Sequence, residues 1–207
     1  MVLITTLIRG GFMDFNDDII KKLVKEVTLT EEINLSDIPC VDLYMDQVTT
    51  FFEGKLNSLK RDKEDKILTK TMINNYTKAK ILMPVKNKKY TKQHIILLTL
   101  IYNLKQTMSI SDICTIISPL LKETDKSLNN AVQVDKLYSA FLDIKSQGAA
   151  SFEEQFTMEL KSIKVKYADD ELEQMLLTVL MLINEANIHK RMAEKILDNF
   201  LVNKKKI

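Results

Sequence analysis

Four glycines and three prolines in 207 residues leave this chain few places to turn. Sandwiches and barrels need turn residues between closely spaced strands, so the scarcity predicts long helices. Length permits a real core, because a chain of this size buries roughly 70% of the surface that its unfolded form exposes. Apolar residues make up 45% and charged residues 28%, a globular balance rather than a disordered one.

The longest apolar runs, 95–102 with its one Thr and 175–183, fall far short of the ~20 residues that a membrane span requires. They read as buried helices and predict no membrane partner. The second run is apolar nearly all round, so neighbours are expected to cover every side of it. Residues 1–12 lack both a long apolar stretch and a small-residue cleavage site, and are expected to be a disordered extension, with Met13 an equally good start. Cys40 and Cys114 belong to no C-x-x-C pair, and His94 and His189 are the only histidines, so no structural zinc set is available. A reduced, cytoplasmic setting fits. No Gly-rich phosphate loop, serine elbow or His-Glu metal pattern occurs, and neither an enzyme nor a cofactor is expected.

Charge is the informative quantity. Nine lysines and no acidic residue lie between 66 and 105, so the other 167 residues carry −7 by subtraction from the chain's +2. A positive segment within an acidic remainder attracts an anionic partner.

Helical spacing after the caps Asn16 and Asp17 predicts a short amphipathic arm through Val27. Residues 31–40 look irregular, and a helix is expected from Val41 or Asp42 to Leu59. Beyond a charged hinge at 60–66, Thr69 caps a short helix carrying Met72, Ile73, Tyr76 and Ala79, with Pro84 ending it. The polar stretch 85–90 then reads as a small wing. Thr91 opens a helix to about Met108, and the Ser109-x-x-Asp112 capping box opens another that stops near 119–122. Helices at 128–146 and from Ser151 are expected to flank Gly148, and a last one at 169–203 would extend about 50 Å. Met175, Met181 and Met192 read as core filling.

The constellation with a function lies on the short helix and the wing. An exposed helix bearing Lys70, Thr71, Asn74, Asn75 and Lys78 suits a major groove, where Asn can bond an adenine edge in two places and Lys can neutralise phosphates. Asn75 fits base reading and exposed polar surface equally well. Lys86, Lys88 and Lys89 can grip the flanking backbone, and Tyr90 serves either as a contact or as a packing anchor.

The run Thr69 to Thr77 followed by Ile81-Leu82 and Pro84, then Lys88-Lys89-Tyr90-Thr91 and a Ser109 capping turn, resembles the MerR family of winged-helix regulators. In that resemblance Ile73 takes a buried Leu position, Asn74 an Arg position, and Asn75 and Tyr76 a pair of Tyr positions. It implies a mainly α fold with a MerR-like winged helix-turn-helix, a small β wing and a C-terminal helical bundle. The segments Asp42-Leu43-Tyr44-Met45-Asp46-Gln47-Val48, Met72-Ile73-Asn74-Asn75-Tyr76 and Leu104-Lys105-Gln106 are also similar to an uncharacterised bacterial family described as a domain of unknown function. The expected organisation is an N-terminal extension and helix at 1–36, the winged domain at 37–122, and a helical region at 123–207 that pairs subunits. Double-stranded DNA is the expected partner of a homodimer, and no motif identifies a small-molecule effector. The recognition-helix Arg of MerR proteins is absent, which motivates the alternative of a helical protein-interaction module on a retained winged scaffold.

Overall fold

A computed structural model describes residues 15–28, 32–124, 128–167 and 170–202. The expectations for 1–12 and for Met13 lie outside these residues. The chain is mainly helical with one small antiparallel sheet. It divides into two compact units, one comprising Met1–Leu29 with Gly148–Glu185, the other Thr30–Gln147 with Ala186–Ile207.

In the first unit, helix α1 spans Asp17–Thr28. Asn16 Oδ1 accepts the backbone N–H groups of Asp18 at 3.1 Å and Ile19 at 3.0 Å, the cap that the sequence suggests. Ile20 and Val24 pack with Phe156 and Leu160, and the rings of Phe152 and Phe156 stack at 5.5 Å between centroids. Lys164 pairs with Asp17 across this small core.

In the second unit, β1 is Leu43–Tyr44, α2 Met45–Leu56, α3 Lys70–Lys78, β2 Lys89–Tyr90, α4 Lys92–Leu104 and α5 Ile110–Thr124. Helix α2 starts later than its periodicity suggests. Leu43 pairs with Tyr90 and Tyr44 with Lys89, and this tertiary pairing holds both residues extended. The Gln47 side chain then accepts the Tyr44 N–H at 2.8 Å to start the helix. Helix α4 supplies the centre of the core, with Ile95, Ile96, Leu97, Leu98 and Ile101 almost wholly buried. Val48, Phe52 and Leu56 from α2, Ile73 and Tyr76 from α3, and Ile113 and Ile117 from α5 pack into the same cluster.

Two expected helix ends are overturned. Helix α5 runs through Pro119 to Thr124, two residues past the expected window of 119–122, and Leu120 and Leu121 beyond the proline pack against the core, which offsets part of the ~3 kcal/mol cost of an interior proline. Helix α6 spans Leu128–Lys166 without a break at Gly148, and the Ser151 capping spacing goes unused. One helical glycine costs only about 1 kcal/mol relative to alanine, too little to interrupt 39 residues. A Cβ added at Gly148 meets nothing within 4 Å, so Gly148→Ala is expected to stabilise the protein by up to ~1 kcal/mol in urea denaturation. An unchanged or lower midpoint would show that the helix is not continuous there.

Helix α7 spans Glu171–Ile196, followed by a π-helical turn Leu197–Val202 that packs on α5. Its apolar stretch is not covered on every side, as the sequence had suggested. Thr178 is buried, whereas Leu176, Val179, Leu180 and Ile183 are each more than half exposed. Met192 is also exposed, so core filling does not explain it.

Candidate nucleic-acid interface

Helix α3 owes its position to a cap and two anchors. Thr69 accepts the Met72 N–H at 3.1 Å, and Ile73 and Tyr76 bury one side in the core. At roughly 100° per residue, Lys70, Asn74, Lys78, Thr71 and Asn75 then fall within about 140° on the opposite side. All five are exposed. The helix ends at Lys78, ahead of Pro84, as Lys80 turns left-handed at φ 58° and Ile81 returns to the core.

The wing is a tight turn closed by the Lys89 N–H to Lys86 carbonyl bond at 3.0 Å. Asn87 and Lys88 both hold positive φ, 53° and 59°, the geometry of a type I′ turn. Glycine is the relaxed residue at the second of these positions; lysine there costs about 1 kcal/mol and sets an ammonium at the wing tip. Strand β1 pairs with β2, which fixes the wing to the start of α2. Thr77 and Lys80 on one side and Lys86 and Lys89 on the other wall a single cleft, so the wing stands beside the exit of α3.

Eight of the nine residues that the sequence singles out are exposed. Tyr90 is the exception, and as a surface contact it is corrected. Its ring is 4% exposed and meets His94 edge-on at 5.6 Å, making it a packing anchor whose burial pushes the phenol pKa up. Lys70 is held by its ion pair with Asp46, whereas Lys89 lies over the Tyr44 ring at 5.7 Å and stays exposed. Lys78, Lys86 and Lys88 extend from exposed positions. Two further lysines of the basic segment are structural. Lys92 joins Asp135 at 2.7 Å, and Lys105 donates to the Ile67 carbonyl at 3.1 Å, with burial lowering its pKa.

Sequence reasoning passed over Lys80, because a left-handed backbone is not visible in composition. Beyond the absence of a zinc set it assigns His94 no role, although its position three residues after Thr91 is the capping-box position. The Thr91 N–H donates to His94 Nδ1 at 3.1 Å. Cys40 is exposed, and Cys114 is half-buried against the core. Among the described residues, no cluster of His, Cys, Asp and Glu could hold a metal ion, and no helix is long and apolar enough to cross a membrane.

The model of one protein family, described as a domain of unknown function (DUF1836), matches residues 33–141, just over half of the chain. No curated protein and no solved structure matches.

Proposed function

The chain belongs to the DUF1836 family, and from that premise and the geometry of α3 we propose that it is a DNA-binding transcriptional regulator with a MerR-like winged helix-turn-helix. One observation carries the reading: Ile73 and Tyr76 lock α3 to the core while its Asn and Lys side chains occupy the open face. An α-helix with its side chains is about 10–12 Å across, which a major groove ~12 Å wide admits. Asn74 reads a base edge there, and Lys78 with the wing lysines meets phosphates on either side.

Binding to random duplex is expected to weaken steeply with salt. Lys78, Lys86, Lys88 and Lys89 supply four phosphate contacts per subunit, for a log–log slope of about −3.6 each. Asn74→Ala should leave that slope intact and reduce discrimination at one base pair by ~1–3 kcal/mol. Absence of binding at low salt would sink the proposal and favour the interaction module, whose partner would survive nuclease treatment.

The regulator is a homodimer. Leu172, Leu176, Val179, Leu180 and Ile183 follow the i, i+4, i+7, i+8, i+11 spacing of one helix face, and all are exposed. Together they form a contiguous exposed apolar stripe, of the kind that marks an interaction surface. A second copy suits this stripe because an uncharged apolar face is self-complementary across a two-fold axis. Leu176→Glu combined with Leu180→Glu is expected to yield a monomer in sedimentation equilibrium and to weaken binding to a palindromic site. An unchanged oligomer would remove the stripe from the interface.

A further inference from the structure

We propose that the cleft between the exit of α3, the wing and the N-terminus of α4 is a binding site for a small organic anion, a carboxylate or phosphate ester with an apolar body. The cleft measures about 690 Å³, within the range of small-molecule sites. Its walls are of two kinds. Leu82, Met83, Pro84 and Leu121 form an apolar side, and Lys80, Lys86 and Lys89 face one carboxylate, Asp42. A duplex phosphate needs no apolar enclosure, whereas a ligand that carries both an oxyanion and a hydrocarbon part uses both walls.

The second, independent observation is His94, which lines the same cleft and is 5% exposed. Its Nδ1 accepts the Thr91 N–H, so in the neutral ring Nε2 carries the proton and must donate. That Nε2 is buried without a hydrogen-bond partner. The backbones of Met83 and Pro84 approach the ring closely enough to favour its charged form, but neither closes a hydrogen bond of normal geometry on Nε2. A buried unanswered donor costs about 1–3 kcal/mol, and because Nε2 has no exposed surface of its own, an oxyanion in the cleft recovers this only by displacing the wall over the ring. Thr91 also places the N-terminus of α4, a helix of 13 residues, at this wall, and its dipole favours negative charge.

Lys86 and Lys89 belong both to this cleft and to the proposed DNA surface, so ligand and duplex would compete for them. That consequence rests on the DNA reading; the site itself does not. The test therefore uses the full chain without DNA. Phenyl phosphate and inorganic phosphate are titrated separately to about 10 mM while NMR follows the His94 ring nitrogens and the backbone amides of 77–94. Saturable shifts are expected with phenyl phosphate, at an affinity roughly tenfold above that of inorganic phosphate. Lys80→Asn removes a cleft charge with a residue that tolerates left-handed backbone, and should weaken phenyl phosphate roughly tenfold with the amide spectrum otherwise kept. No saturable shift at His94, equal affinity for the two phosphates, or an unaffected Lys80→Asn variant would each overturn the site.

Discussion

Replacing Lys86, Lys88 and Lys89 together with Glu is expected to lower affinity for random duplex by on the order of 10³ and to reduce the log–log salt slope by about 2.7 per subunit. Three phosphate contacts vanish and three like charges take their place, which accounts for the size of the loss. All three side chains are exposed, and the Tyr44 ring that Lys89 lies over is itself exposed, so the core should stay folded. Lys88→Gly separates binding from folding more cleanly. At φ 59° glycine relieves backbone strain, so thermal stability should hold or rise while affinity falls. A triple variant that binds duplex as the parent does would remove the wing from the interface.

Tyr138 carries the second large effect, on stability. Its ring is fully buried and its hydroxyl donates to the Ile33 carbonyl at 2.6 Å, tying α6 to the segment before β1. Tyr138→Ala should destabilise the unit by ~3–5 kcal/mol through the cavity, whereas Tyr138→Phe should cost ~1–3 kcal/mol by leaving the carbonyl without its donor. Burial pushes the phenol pKa up to about 12 from 10.0, with the Thr99 hydroxyl opposing and Glu32 and Asp37 adding to the rise. The folded form therefore keeps a proton that the unfolded chain releases. Its contribution is complete below pH 10 and is lost as pH rises towards 12, at ~1.4 kcal/mol per pH unit. Urea midpoints across that window should fall less steeply in Tyr138→Phe than in the parent. Tyr76, Tyr90 and Tyr102 shift in the same direction in both proteins and cancel in the comparison. Parallel slopes would show that the phenol is not shielded.

Local chemistry was legible where a side chain acts on its own turn. Asn16, Thr69 and Ser109 each accept a backbone N–H at the helix starts that their spacing marks. What the sequence concealed was decided at a distance. Leu43 and Tyr44 read as helix because their strand partner lies at Lys89 and Tyr90. Pro119 and Gly148 read as helix ends because local breaking rules take no account of the packing of Leu120 and Leu121 beyond the proline or of a helix 39 residues long. Leu176, Val179, Leu180 and Ile183 on α7 read as covered, since a run of apolar residues does not say what lies against it. At the candidate site the lysines and asparagines were visible as exposed types on one helix face. For Tyr90 the basic neighbours left contact and packing anchor equally open until its burial decided for the anchor, and the unanswered nitrogen of His94 becomes evident only once Thr91 is seen to donate to the other one.

The two-residue ladder that holds the wing joins Leu43 to Tyr90 and so encloses 46 intervening residues. Closing such a loop costs about 3 kcal/mol in chain entropy, more than a ladder this short returns. The wing must therefore assemble late in folding, after α2 and α3 have consolidated on the core and already brought its two strands together. Selection on the wing lysines would then act on a feature with no autonomous existence: an excised peptide of 66–105 would keep the charges but lose the shape that arranges them.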